Sequence, residues 1–474
     1  MSEPEDPGGQ GGQTPGVPQS PPPPPQDPPA QGTTQSPRSP APPSGWQLGA
    51  GPPGGGDAKP RFTLMGRARV MGIAIAIVVV LIAFLVLRGS SNPKAATVPK
   101  ASPPEAFLPP SPDALTGTVD ADALPGMPAP LSASNVYAAD APGNFSANAA
   151  KAKPLIYVPD TISGDVYEID PATDAVVRHF PVGKDPQHVV PSYDGSTLWV
   201  TVDESNTLVP IDPTTGEPGP AVPVTDPYNL YFTPDGLHAI VVAEAEKRLD
   251  FRDPKTMALQ NSLAVPNCAG VNHIDFTANG RYLLATCEFT YQEGPHGTGV
   301  GRMVVVDVAS ETQVGTIDLG PGSQPQDVKL SPDGTVFYVS DLKDGGVWLI
   351  SASTFQKIGF IPTGAGAHGL YVSRNQQDLY VSNRSGGSVS VISFASNQVV
   401  ATWKIPGGGS PDMGNVSNDG SLLWLAGRYN NVIYAFNTTT GAVVAKIPVG
   451  VGPHGLCVWP QPGRYSLGHT GIMR

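Results

Sequence analysis

Charge is scarce in this sequence. Only 14% of its 474 residues are Asp, Glu, Lys or Arg, where about 25% is usual in a soluble domain. The 28 basic side chains form no stripe and are outnumbered by 40 acidic ones, for a net charge of -12, so nucleic acid is excluded as a partner. Cysteine is scarcer still. Cys268, Cys287 and Cys457 are the only three, without CxxC spacing and without CxxCH for haem attachment. Gly-x-Ser-x-Gly, His-Glu-x-x-His and Gly-x-x-x-x-Gly-Lys are missing from the C-terminal part, and no Gly-x-Gly-x-x-Gly there opens a helix. Room for helices is short too: 55 Gly and 55 Pro exclude a mainly helical protein.

What is present divides into four parts. Residues 1–60 hold 18 Pro and 12 Gly, including the run Pro21 to Pro25, and too little apolar surface to offset the entropy of ordering the backbone. A disordered tail is predicted. From Val70 to Leu87 run 18 residues with no polar side chain, about 27 Å long as a helix, against a hydrocarbon core of about 30 Å. This predicts a transmembrane helix over 70–88, an uncleaved signal anchor, because the exit LRGSSNPK has no clear small-x-small cleavage site. Four basic residues precede the helix and three follow it, a balance that slightly favours the N-terminus inside. Residues 89–150, rich in Pro, Ala, Ser and Asp, read as a flexible linker. The expectation is a single-pass cytoplasmic-membrane protein with its folded part outside.

From Lys151 on, short alternating apolar runs are separated by Asp-Gly, Asn-Gly and Gly-Gly turns, the pattern of many antiparallel strands. The runs repeat. LYVSNRSGGSVSVISFASNQVVATWKIPGG from Leu379 matches FYVSDLKDGGVWLISASTFQKIGFIPTG from Phe337, and the loop before each first strand falls at Pro186, Pro227, Val271, Pro325, Ala367, Pro411 and Pro453. Spacings of 41, 44, 54, 42, 44 and 42 residues, four strands to a unit, predict an all-β protein with a seven-bladed β-propeller over 151–463. Residues 155–183 supply only the last three strands of a blade and HGLCVWP at 454–460 only a first strand, so the two ends join to complete the seventh. Residues 464–474 read as a C-terminal tail outside the strand.

Tyr380-Val381-Ser382-Asn383 and Tyr338-Val339-Ser340-Asp341 nearly reproduce the tetrapeptide for which the YVTN-repeat (YncE-like) β-propeller family is named, and about 310 residues resemble it. More distantly the repeats resemble the haem d1 domain of nitrite reductase and lactonase-like propellers. The resemblance is specific for fold and leaves function open. The third blade departs from it by an insertion, Glu288 to Gly301, where a partner could be met.

First strands line a propeller's channel, so residues at their starts form rings around one mouth. The repeat register puts Gln187, Tyr228, Asn272, Gln326, His368, Asp412 and His454 in one ring and His188, Asn229, His273, Asp327, Gly369, Met413 and Gly455 in the next. His188, His273, Asp327, His368, Asp412 and His454 are the candidate ligands for a transition metal or a tetrapyrrole iron. The other reading is a polar lining that hydrogen-bonds across a wet channel and holds no cofactor. His179, His238, His296 and His469 lack this register and read as surface. Lactonase-like hydrolysis, which the family resemblance brings in, has only Asp327, Asp412, Asn229 and Asn272 to imitate its acidic and amide ion site, by residue type without a motif. Cys268 and Cys287 fall at one end of blade three and form either a disulfide, if the domain lies outside the membrane, or two buried thiols. The functional expectation is a membrane-anchored, extracytoplasmic binding module, more a binder than an enzyme. It meets a protein or cell-envelope partner or takes a small ligand at the channel mouth; a metal- or haem-handling propeller and a hydrolase are the alternatives.

Overall fold

The computed structural model describes residues 123–291 and 299–474. The Pro-rich segment 1–60, the apolar run over 70–88, the linker up to residue 122 and His296 lie outside the described residues. Among the described residues no helix is long and apolar enough to cross a membrane.

Seven four-stranded antiparallel sheets form the blades of a propeller. Their inner strands, blades one to seven in order, are Pro186–Pro191, Asn229–Phe232, Val271–Phe276, Pro325–Leu330, Ala367–Val372, Pro411–Val416 and Cys457–Trp459. Each packs beside the next, and the seventh lies beside the first. Burial grades outward as a ring of packed sheets requires. Every residue of Pro325–Leu330 is buried, whereas the outer strand Gln398–Lys404 alternates exposed and half-buried side chains. Between blades the two facing sheets share one apolar layer, as where Val389 and Val391 of blade five meet Leu425 and Phe436 of blade six.

Turn chemistry repeats with the blades. Gly334 takes a φ of 74° in a Pro-Asp-Gly turn, and Asp333 Oδ1 accepts the Thr335 amide at 3.0 Å. In the repeated Asp-Pro-x-Thr turns Asp170, Asp212 and Asp253 cap backbone amides at 2.7 to 2.9 Å.

Closure joins the chain ends. Leu155, Ile156 and Tyr157 pair antiparallel with Trp459, Val458 and Cys457. Cys457 is buried and unbonded, while Cys268 and Cys287 form a disulfide with Cα atoms 5.0 Å apart.

Two boundaries differ from the sequence reading. Residues 123–150, read as linker, lie on the propeller. Leu124 joins the apolar cluster of blades two and three, the Tyr137 hydroxyl donates to Leu330 O at 2.9 Å, and Ala149 is fully buried. Composition hid this, since a few anchor residues suffice to bind a Pro/Ala-rich segment to a surface that is already folded. Residues 464–474 are not an outlying tail either. Ser466–Gly468 and Ile472–Met473 form a hairpin added to the inward edge of blade two, making that sheet six-stranded. Inner strands leave carbonyls unpaired toward the axis, and the hairpin satisfies them. The His469 amide donates to Leu230 O at 2.8 Å and the Thr470 hydroxyl to Gly414 O at 3.0 Å, so the hairpin ties blade two to blade six. A Cβ on Gly468 would lie 2.5 Å from Leu230 O, which is why glycine stands at this approach.

Candidate functional site

The ring residues turn inward because their strands begin with a bulge. Pairing with the second strand is interrupted between Pro186 and Val189, between Val271 and Ile274, and between Pro325 and Val328. The amide freed by each bulge is taken by a hydroxyl on the second strand. Thr201 accepts from the His188 amide at 3.0 Å and donates to Tyr228 O of the next blade at 3.0 Å. Thr286 does the same for His273 at 3.0 Å and Gln326 O at 2.6 Å, and Ser340 for Asp327 at 3.0 Å and the His368 carbonyl. These hydroxyls occupy the third position of the YVTN-like tetrapeptide. The repeat motif therefore builds the channel lining and links each blade to its neighbour.

Five imidazoles meet in the channel. His188, His273, His368, His454 and His469 are each at most 2% exposed. His188 lies 4.9 Å from His454, 5.5 Å from His273 and 5.4 Å from His469, ring centre to ring centre, and His273 and His469 are 4.7 Å apart. Gly455 makes this possible, for a side chain there would run into the His188 ring. Burial pushes the His188 imidazole down to about 3 and holds the other four well below the usual histidine range, so all five are neutral at neutral pH.

The six expected ligands do not form one centre. His188 and His273 group with His469, ligand atoms within 4.8 Å of one another, and the Nε2 atoms of all three are buried without a hydrogen-bond partner. His469 is thus not the surface residue expected. It reaches the channel on the C-terminal hairpin, outside the repeat, and nothing in the blade register points to it. His368, Asp412 and His454 make a second group. There Asp412 is already engaged by two guanidiniums, Arg384 Nη1 at 3.3 Å and Arg428 Nε at 3.7 Å, with His368 Nδ1 at 3.2 Å. Burial raises the Asp412 pKa despite both arginines. Asp327 belongs to neither group. Its two oxygens accept the Val328 amide at 2.8 Å and the Leu370 amide at 2.9 Å, a strut between blades four and five. Of the other two described histidines, His179 is exposed and His238 bonds Gln260 at 2.7 Å on the surface.

The three-histidine centre suits a transition-metal ion. His188 Nδ1 lies 3.0 Å from Tyr228 O, which fixes the proton on that nitrogen and leaves Nε2 a bare donor. Asn229 Nδ2 faces Nδ1 of both His273, at 3.1 Å, and His469, at 3.2 Å, while its Oδ1 accepts the Leu230 amide. Ligation through Nε2 requires acceptors at those Nδ1 atoms. The Tyr231 hydroxyl, 3.2 Å from His273, is one, and an acceptor at His469 requires rotation of the Asn229 amide, which gives up the bond from the Leu230 amide. A tetrapyrrole does not fit this centre, since rings surround His188 on four sides at 4.9 to 5.5 Å.

Comparison with known proteins bears on the fold. No curated protein matches the sequence. Among solved structures the chain is similar to Kuenenia stuttgartiensis hydrazine synthase, with 18% identity over 61% of this chain and 93% of that one and a TM-score of 0.52. It is also similar to the dihydro-heme d1 dehydrogenase NirN (15%, covering 70% and 79%, TM-score 0.50). A functionally unknown protein from Desulfotomaculum acetoxidans is similar as well (17%, covering 64% and 98%, TM-score 0.50). At these identities the likeness is one of fold. The family model of the YNCE-like beta-propeller matches residues 123–462, and the chain belongs to that family.

Proposed function

We propose that this protein is a membrane-anchored, extracytoplasmic propeller that binds one transition-metal ion in its channel through His188, His273 and His469. The observation that carries this reading is the convergence of three buried, neutral imidazoles, one ring nitrogen of each within 4.8 Å of the others, whose Nε2 atoms all lack a hydrogen-bond partner. Leaving three such buried nitrogens without a partner is costly for a structural lining, and a metal satisfies all three at once. An all-imidazole set suits zinc, copper, cobalt or nickel rather than magnesium or calcium. The Val70 to Leu87 run supports the anchor, and the Cys268–Cys287 disulfide supports an oxidising compartment.

Metal analysis of the full-length chain, purified without a chelating resin, tests the reading. About one equivalent of one of these metals is expected. His188→Ala, His273→Ala and His469→Ala should each lose most of it while keeping the β-sheet circular dichroism spectrum, and His179→Ala should keep it. A metal-free chain that takes up neither zinc nor copper on titration refutes the reading, as does retention of the ion in all three variants.

A further inference from the structure

Above the histidines the channel mouth is electrically divided. The residue that follows the YVTN-like tetrapeptide lies at this end of the blade, and it is Asp203, Glu244 and Glu288 in blades one to three but Arg384 and Arg428 in blades five and six. Unpartnered atoms carry the same division. On the acidic side Asn272, wholly buried, donates from Nδ2 to Glu288 Oε2 at 3.3 Å and leaves Oδ1 without a partner. Gln187, 6% exposed, likewise leaves Oε1 free. On the basic side Arg428 Nη1 is buried without an acceptor. The unpartnered acceptors thus fall with the carboxylates and the unpartnered donor with the arginines.

We propose that this mouth binds a zwitterion of the α-amino acid type, its ammonium held by Glu244, Glu288 and the Asn272 Oδ1 atom and its carboxylate by Arg428 and Arg384. The ammonium supplies a donor to the Asn272 Oδ1 atom, which lacks one, and a positive charge to the two carboxylates beside it, while a planar carboxylate matches the fork of a guanidinium. Burial and a neighbouring carboxylate, Glu288 for Glu244 and Asp226 for Asp203, hold Glu244 up to about 9 and Asp203 up to about 8. A bare divalent ion is the poorer occupant. Among the described residues the groups that converge on a single point are the two histidine groups, and the mouth carboxylates are not among them. Tyr429, 68% exposed and 5.8 Å from the Arg384 guanidinium, stands at the rim on the basic side, placed to cover the body of the ligand.

Calorimetry on the full-length chain, stripped with EDTA so that the histidine centre takes no part, tests the proposal. The probes are the twenty L-amino acids and glycylglycine, with acetate, methylammonium and calcium chloride beside them. At least one zwitterion should bind saturably, while acetate and methylammonium at the same concentration give no heat. Glu244→Gln should weaken that zwitterion about tenfold or more, as expected for a lost charged hydrogen bond. Because Arg428→Ala strips a cation from buried Asp412, Arg428→Lys is the variant on the other side. It keeps a charge, lacks the fork, and should weaken binding comparably. Absence of any zwitterion binding overturns the proposal. So does binding indifferent to both variants, and so does binding of calcium alone.

Discussion

Cutting the chain after Gly463 removes eleven residues that lie beyond the last blade strand, and the structure makes this a severe perturbation. Leu467, Ile472 and Met473 are 1%, 6% and 2% exposed. At roughly 1.5 to 3 kcal/mol for each large apolar side chain, their burial contributes on the order of 5 to 9 kcal/mol, comparable with the 5 to 15 kcal/mol margin of a typical domain. The cut also strips Asp275 of Arg474, whose guanidinium lies 2.9 Å away and 4.4 Å from the Tyr137 ring. Water reaching the opened channel softens that second loss, so the apolar term is the safer figure. A loss of about 5 kcal/mol corresponds to a melting temperature lowered by about 10 °C or more. The assay is thermal unfolding of three versions of the full chain: intact, ending at Gly463, and ending at Val451. The last also loses the strand Cys457–Trp459 and should not melt cooperatively. If the version ending at Gly463 melts within a few degrees of the intact chain, the hairpin is not part of the core and the reasoning fails. That version should also lose the metal, because His469 leaves with the hairpin.

Two further outcomes are expected. Asn229→Asp places a carboxylate where Nδ1 protons of His273 and His469 need acceptors, so zinc affinity measured by competition should rise, whereas Asn229→Leu should lower it about 10- to 100-fold. A lower affinity in the Asp variant would mean that these rings do not ligate through Nε2. Asp160 is fully buried, and burial with Asp165 nearby raises its pKa to about 8. The folded state therefore holds its proton between about pH 4 and pH 8 while the unfolded state does not, so its contribution to stability is present at low pH and lost as pH rises through that window. Asp160→Asn, which cannot ionise, should gain melting temperature over the wild type progressively from pH 5 to pH 8 and level off above it. An advantage independent of pH removes the titration argument.

Blade count and closure were legible because both are properties of register. A period near 42 residues and complementary half-blades at the two ends leave little freedom in how the chain closes. His188, His273, His368 and His454 were legible for the same reason, each standing at a fixed offset from its loop. Their division into two groups was not. It depends on how far each bulge rotates a side chain, on the missing side chain at Gly455, and on Arg384 and Arg428 drawing Asp412 into ion pairs. Asp327 shows the limit of register most sharply. It holds the same offset as His188 and His273, yet a short carboxylate reaches two backbone amides that an imidazole cannot, and it becomes a strut.

The residues missed were those outside the repeat. His469 has no counterpart in any blade, and Leu124, Tyr137 and Ala149 sit in a segment without periodicity. A repeat propagates one solution to every blade but cannot cap its own channel, because each inner strand ends in the same unpaired edge. Something unlike a blade must fill the axis, and here the C-terminal hairpin does so. The third imidazole of the group comes from that insert. Blades one and three present His188 and His273, each anchored through Thr201 or Thr286 to the wall, and His469 comes in between them on the hairpin that pairs with the inner strand of blade two. The hydroxyl at the third position of the tetrapeptide thus does two things at once, holding the blades together and fixing the two wall histidines against which the hairpin brings the third.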